Sequence, residues 1–544
     1  MLTKNQTAEM TCESFGSDAT GVCRFEGMAV FVPMLLPGER ALVRIVKVQK
    51  RYAFGRIEQL IDASPDRREP VCPVYRRCGG CSCQHMSYEA SLEFKRSQVQ
   101  ELLRRVGGLP VDVPEVLGMD APLHYRNKGT YPVSLREGQP VCGFFAPHSH
   151  DLVPLPEGGC LIQRKESSAA VAALLSWMKA FRVLPYDERG HRGLIRHIMT
   201  RTSGDGKTVV TLVCASPALP HAQELIEAMR SALPGLHGLC LIHNPRTDNV
   251  ILDGKLHVLW GEAALDMTLC ALHFSVSPQA FFQVNPVQTE KLYSLALDFA
   301  GLTGRETVCD CYCGAGTISL LLAGHAQRVI GIEIVPQAID NAKANAKANG
   351  ITGAEFLCGK TEELLPRLVA DGIRPDVVML DPPRKGCEPA VLDAICEAGV
   401  SRVVYISCGA PALARDAAIL SARGYNIERI QCVDMFCLTG DVETVCLLSK
   451  IRSAPHIDID LDMTELDVTA AETKATYEEI KAYVLEHTGL KVSCLYIAQV
   501  KAKHGIIERD CYNKAKTEGN RVPKCPPEKE RAIEEALRHF QMIP

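Results

Sequence analysis

A chain of 544 residues and 59.5 kDa exceeds what one hydrophobic core organises, so several domains are expected. With 47% hydrophobic and 23% charged residues it has a globular composition; no run reaches the apolar length of a membrane span, and MLTKNQTAEM has no apolar core behind its lysine, so no signal peptide is expected. A net charge of -4 and a pI near 6.5 announce no nucleic-acid binder, and in the reducing cytoplasmic setting expected here the 24 cysteines read as packing residues, metal ligands or catalytic thiols rather than disulfides.

Between about residues 16 and 61, short β-like stretches such as GVCRFEGMAVFVP and ERALVRIVKVQKRYAFGRIEQLI alternate with glycine and proline turns, which predicts a small barrel. Arg44, Lys47, Lys50 and Arg51 would decorate it, as a docking face or as an ordinary solvated strand face. Arg40, Arg56, Arg67, Arg68, Arg76 and Arg77 add to this basic region, whereas HIDIDLDMTELD near residue 460 is acidic. After the linker-like PDRREP, CPVYRRCGGCSCQH crowds Cys72, Cys78, Cys81 and Cys83 around a Gly-Gly pair. SYEASLEFKRSQVQELLRRVGG then predicts an amphipathic helix with Leu92, Val99, Leu102, Leu103 and Val106 on its apolar face and Lys95, Arg96, Arg104 and Arg105 on a positive one.

Residues from about 125 to 275 read as strand-rich, in runs such as KGTYPVSL, RHIMTRTS, TVVTLVCAS, LCLIHNP and NVILDGKLHVLW. From about 290 the rhythm becomes strand, helix, strand, helix; TVCDCY, RVIGIEIV, DVVMLDPP and RVVYISCG have the buried character of a parallel, doubly wound α/β sheet. From about Pro455, TYEEIKAYVLEHTG and CLYIAQVKAKHG predict two helices, and PPEKERAIEEALRHF a third with proline at its start.

Ligands of an open α/β sheet bind beyond the carboxyl ends of its strands, and four such ends carry chemistry. DCYCGAGTISL turns through Cys313-Gly314-Ala315-Gly316 into a helix near Thr317, where a ligand can approach the backbone. Glu333 closes the next strand, and a carboxylate there can accept both hydroxyls of a ribose. Asp381-Pro382-Pro383 stops a strand and fixes the carboxylate in a turn. Cys408, before Gly409, ends the fourth strand as a candidate nucleophile.

With YRNKGTYPV at Tyr125, SPQAFFQVNP at Ser277, GIEIVP, LDPPRKGC, SCGAPALARD and VDMFCLTGDVETVCLL in this order, the chain resembles the S-adenosylmethionine-dependent RNA uracil-5-methyltransferases of the RlmD/RumA and TrmA type over roughly its first 450 residues. The resemblance implies a TRAM barrel, OB-like and RNA-binding, over 1–64, a strand-rich central domain with an iron–sulfur cluster over 65–278, and a Rossmann-like methyltransferase domain over 279–452. A small helical module over 453–544 lies outside the family pattern. Cys408 is then the thiol that adds to uracil C6, and Glu443 in GDVETV the base that removes the C5 proton. Gln283, Tyr312, Thr317, Glu333 and Asp381 match positions that bind S-adenosylmethionine, Asp381 between cofactor and base. Cys72, Cys78 and Cys81 with the remote Cys160 match the ligands of a 4Fe-4S cluster, with Cys83 a bystander and zinc the other metal that cysteines alone suit.

The implied reaction is methylation of uracil C5 in RNA, with 23S rRNA the expected substrate because the tRNA-directed branch commonly lacks the cluster. A tRNA substrate is the alternative, and a non-catalytic RNA-binding protein derived from this fold is the rival of another class. The target nucleotide must leave its stack, so an unpaired or easily unstacked segment is expected. The chain departs from the family pattern at Lys360, Gly409-Ala410, Cys437 and Asp441. Lys501 and Lys503 in the C-terminal module suggest an added nucleic-acid contact, the other reading being a helical cap or protein-docking module. A cytoplasmic monomer is expected.

Overall fold

The computed structural model describes residues 2–451 apart from 17 and 249, together with 476–504, 506, 525–540 and 542–543. The acidic run near residue 460 lies outside the described residues. The chain forms two compact units, Met1–Arg452 and Ser453–Pro544.

Five strands, β1 (Thr7–Phe15), β2 (Gly21–Phe25), β3 (Met28–Val32), β4 (Arg40–Val48) and β5 (Tyr52–Asp62), close into a barrel in the order β1-β2-β3-β5-β4. Alternation of period two shapes it: in RALVRIVKV, Ala41, Val43 and Ile45 turn inward between Arg40, Leu42 and Arg44, and an irregularity between Ile45 and Lys47 then leaves Lys47 exposed. Pairing of β1 with β4 closes the ring, so no strand edge is left open to another chain. Much of the basic stripe is neutralised in place. Arg40 pairs with Glu9 at 2.9 Å and Asp62 at 2.7 Å, and Arg44 and Arg56 share Glu58 at 2.7 and 3.0 Å.

Helix α1 (Tyr88–Arg105) starts where the Ser87 hydroxyl accepts the Ala90 N–H at 3.2 Å. Its inward stripe is Ser91, Phe94, Lys95, Val99 and Leu103. Lys95 therefore does not belong to the positive face expected of it; it is fully buried against an anion described below. Val106, expected on the apolar face, is 52% exposed because the helix has ended.

The middle of this unit is a seven-stranded sheet built from β6 (Lys128–Arg136), β7 (Gln139–Phe145), β8 (Leu152–Pro154), β9 (Ile195–Thr202), β10 (Thr208–Cys214), β11 (Leu236–His243) and β12 (Lys255–Gly261) in the order β12-β11-β10-β9-β6-β7-β8. The region is not strands alone. Helices α2 (Lys165–Phe181) and α3 (Ala222–Ala232) pack Leu174, Trp177, Met178, Leu225 and Met229 against it. A hairpin, β13 (Leu265–Leu269) and β14 (Leu272–Val276), leads to α4 (Pro286–Ala300), capped by the Asn285 side chain.

The last sheet of the unit takes β15 (Thr307–Cys311), β16 (Arg328–Glu333), β17 (Ala354–Cys358), β18 (Val377–Leu380), β19 (Arg402–Ser407), β20 (Tyr425–Val433) and β21 (Glu443–Lys450) in the order β17-β16-β15-β18-β19-β21-β20. The first five in that order are parallel, joined by α5 (Thr317–Ala323), α6 (Pro336–Ala348), α7 (Thr361–Ala370) and α8 (Pro389–Ala398). Helix α9 (Ala410–Ser421) follows β19, and β21 runs antiparallel to both its neighbours. Continuously apolar strands such as VVML in β18 are what a sheet covered on both faces requires. Strand order reverses at β15, with β16 on one side and β18 on the other.

In the C-terminal unit α10 (Tyr477–Thr488), α11 (Cys494–Lys503) and α12 (Pro527–His539) bury Ile480, Val484, Ile497, Val500, Ile533 and Leu537 together. The helices fall where expected, but the two lysines are engaged. Lys501 is buried with its Nζ 4.6 Å from the centre of the Tyr477 ring, and Lys503 pairs with Glu530 at 2.5 Å and Glu534 at 3.3 Å. No helix among the described residues is long and apolar enough to cross a membrane.

Candidate active site

The residues singled out in the sequence converge on the carboxyl end of the last sheet. Beyond β15 the backbone turns sharply: Tyr312, Gly314 and Gly316 all have positive φ, of 68°, 55° and 80°. A bulky residue in the left-handed region is strained, and such strain is tolerated where the surroundings over-determine it. A Cβ at Gly314 would meet nothing within 4 Å, so the backbone here faces open space. The Gly314 N–H donates to Glu333 Oε2 at 3.2 Å, and the Val335 N–H to Glu333 Oε1 at 2.8 Å. That fixes the carboxylate at the end of β16 and leaves each oxygen a lone pair for a ligand hydroxyl.

Two residues that the sequence did not single out complete this side. Tyr293, from the inner face of α4, places its hydroxyl 3.3 Å from Thr317 Oγ1 and hydrogen-bonds the Gln283 side chain. Asp310 lies buried in β15 beneath the turn, with Ser319 Oγ donating to Oδ2 at 2.5 Å and Oδ1 without a partner. Burial pushes its carboxyl up to about 7, with the nearby Asp381 and Glu333 adding to the rise. A carboxylate inside a cysteine-rich buried strand was the available signal for it. Phe281, two residues before Gln283, is 75% exposed beside a buried Phe282, which makes it a second aromatic feature of this rim.

The other side is acidic. Asp381 follows β18, and burial pushes its carboxyl up to about 7. Cys408 follows β19, and the register Ser407↔Thr444 continued by one residue sets it opposite Glu443, the first residue of β21. Burial raises the Cys408 thiol to about 11, with Glu443 and Asp381 adding to the rise and Arg384 opposing it. Glu443 is driven well above the usual carboxylate range by burial and by Asp381 and Asp441. One thiol and two carboxyls thus share a site that favours their neutral, protonated forms. Such opposed demands mark reactive sites more often than structural ones.

The departures from the family pattern have local explanations. A Cβ at position 409 would lie 2.9 Å from the Arg384 carbonyl oxygen, so Gly409 lets the loops after β18 and β19 touch. Asp441 pairs with Arg384 at 3.3 Å across the mouth of the site, and Cys437 is buried with its Sγ 3.6 Å from the Tyr88 hydroxyl. Lys360 precedes α7 and pairs with Glu363 at 3.0 Å.

Cys72, Cys78, Cys81 and Cys160 line one cavity of about 440 Å³, whose wall also carries Arg126 and Lys128. Burial raises the thiols of Cys78, Cys81 and Cys160, and each is raised further by other members of the set. Among the described residues no three His, Cys, Asp or Glu side chains are gathered as a metal site. Cys83 lies apart, packed with Leu36, Met86 and Phe94.

The cysteine segment and the active site grip the same loop. The N–H groups of Ser82 and Cys83 both donate to the Leu438 carbonyl at 3.0 Å, and the Tyr125 hydroxyl donates to the Cys437 carbonyl at 3.1 Å. Lys95 Nζ forms a fully buried ion pair with Asp434 and donates to the Phe436 carbonyl at 3.1 Å. Tyr88 donates to the same Asp434 at 2.6 Å, and Asn285 Nδ2 to the Met435 carbonyl at 3.0 Å. Residues 434–438, just before Glu443, are thereby held from three directions.

The chain is similar to known proteins over most of its length. The tRNA (Uracil-5-)-methyltransferase family matches residues 205–451, and the TRAM domain residues 2–57. An uncharacterized RNA methyltransferase of Clostridium acetobutylicum is 42% identical over 82% of this chain and 98% of its own length. One of Halalkalibacterium halodurans is 44% identical over 82% of this chain and 98% of its own length. The Pyrococcus abyssi tRNA (uracil-54, C5)-methyltransferase, solved in complex with S-adenosyl-L-homocysteine, shares the fold with a TM-score of 0.65 at 24% identity, covering 81% of this chain and 100% of that one. With a TRAM barrel, a doubly wound methyltransferase sheet and relatives this similar over nearly their whole length, the chain belongs to the uracil-5-methyltransferase family of RNA methyltransferases and is an enzyme of that class.

Proposed function

We propose that the protein methylates C5 of uracil in 23S rRNA, with S-adenosylmethionine as methyl donor and Cys408 as covalent nucleophile. The observation that carries this reading is the strand register that sets Cys408 opposite Glu443, with Asp381 at the neighbouring strand end. C5 of uracil is too weak a nucleophile to be methylated directly; the Cys408 thiol gives up its proton to solvent and its sulfur adds to C6, which gives C5 enolate character. When bound, S-adenosylmethionine supplies an electrophilic methyl group on a sulfonium whose positive charge offsets the acidic cluster. Glu443, neutral in the free site, would be ionised once the donor's positive charge is bound, and takes the C5 proton; the C6–S bond breaks, and the electron pair of the C5–H bond restores the 5,6 double bond as the thiolate leaves. Glu333 would hold ribose hydroxyls, Gln283 and Thr317 would be ordered by Tyr293, and the turn at Tyr312 would let the donor approach the backbone. Asp381 would orient the base beside the donor. The exposed ring of Phe281 suits a nucleotide drawn out of its stack.

The four cysteines, which line one cavity, would be the ligands of a 4Fe-4S cluster, with zinc the other metal that cysteines alone suit. Arg126 and Lys128 place positive charge beside that anionic cluster. The cluster would brace the cysteine segment that holds Leu438, and through it the loop before Glu443. Protein purified without oxygen is expected to carry about four iron atoms per chain and a brown visible absorption. Cys78→Ser should lose both, and zinc without iron would contradict the assignment.

Methyl transfer from labelled S-adenosylmethionine to transcripts tests the substrate: incorporation as 5-methyluridine is expected into 23S rRNA and not into tRNA. The match to a tRNA-named family favours the second reading, and incorporation into tRNA alone would establish it.

A further inference from the structure

We propose that the outer face of the barrel around β5 is a stacking platform for unpaired bases of the RNA, built from Phe31, Tyr52 and Phe54 and flanked by Lys47, Lys50 and Arg51. The inference extends the reading above, in which the RNA is presented with an unstacked segment. The three rings form one group, with centroids 5.5 Å apart for Tyr52–Phe54 and 5.8 Å for Phe31–Tyr52 and Phe31–Phe54. Register fixes their direction. Lys47 pairs with Phe54 across β4 and β5, and Phe31 with Phe54 across β3 and β5, so the three residues make a row over three strands. Their neighbours Val30 and Ala53 are wholly buried in the core, which turns the row outward.

The rings do no packing for the barrel, whose core is filled by residues of the opposite face. Tyr52 is 40% and Phe54 36% exposed. Charge selects the occupant. Arg40, Arg44 and Arg56 elsewhere on the barrel are tied to carboxylates, whereas Lys47, Lys50 and Arg51, on β4 and the turn into Tyr52, form no ion pair among the described residues. Exposed rings beside free cations match a single strand, whose bases stack on the rings while its phosphates meet the cations. A duplex keeps its base faces hidden and cannot use such a surface.

The test uses the full chain and fluorescently labelled single-stranded oligouridine, with a duplex for comparison. Tyr52→Leu and Phe54→Leu keep apolar bulk but remove the π-face; each is expected to weaken single-strand binding about tenfold and to raise the KM for RNA rather than lower kcat. Phe54→Trp should restore tight binding. Lys50→Ala and Arg51→Ala should each lower the slope of log affinity against log salt by about 0.7. Leucine variants within twofold of wild type, on a protein that still methylates RNA, would overturn the platform and leave the catalytic reading standing; so would a duplex bound as tightly as the single strand. Intact platform binding with no methyl transfer would instead strike at the catalytic reading.

Discussion

Glu443→Gln is expected to cut 5-methyluridine formation about 100- to 10,000-fold, the usual range for loss of a positioned general base, and to leave the RNA covalently attached to the protein. The amide has nearly the shape of the carboxyl but cannot take the C5 proton, so the sequence should stall after methyl transfer and before elimination. The fold should tolerate the change, because burial already favours the neutral form of Glu443. Denaturing gels with labelled RNA and unlabelled S-adenosylmethionine should show a shifted band for Glu443→Gln. Cys408→Ala should give neither band nor product. A Glu443→Gln protein that turns over at the wild-type rate would remove Glu443 from the mechanism.

Lys95→Met is expected to destabilise the first unit by about 3–5 kcal/mol, because it strands Asp434 as a buried, uncompensated charge. Both partners are 0% exposed, so water cannot take over the lost interaction. The double variant Lys95→Met/Asp434→Leu should recover most of the loss, since a buried pair replaced by apolar groups is often nearly neutral. Urea midpoints at unchanged slope read the difference. A single variant within 1 kcal/mol of wild type would show that the pair does not anchor the loop at residues 434–438.

That ion pair also shows where sequence reasoning stops. Lys95 sits among arginines on an amphipathic helix and reads as solvent-facing; its partner is 339 positions away, and nothing local signals the contact. Cys408, Asp381 and Glu333 were legible because glycine and proline punctuate the ends of strongly apolar strands, and a parallel sheet puts all such ends on one edge. Glu443 was legible only through family resemblance, since its place depends on an antiparallel strand entering the sheet from the far side. Helix α2 was missed although Ala170, Val171, Leu174, Trp177 and Met178 recur at helical spacing. The strands on either side of it set the expectation of a strand-rich region, and the small alanines blurred the period. The barrel's basic stripe was legible as composition, but only the fold separates the arginines bound to Glu9, Glu58 and Asp62 from the free cations beside Tyr52 and Phe54.

Cys408 is the residue proposed to form the bond to uracil. The measurement that tests it most directly is peptide mapping by mass spectrometry of the covalent complex trapped with Glu443→Gln. A single modified peptide is expected, with a methylated uridine nucleotide attached at Cys408. Attachment at another cysteine, or no attachment in a folded protein that binds both RNA and S-adenosylmethionine, would contradict it.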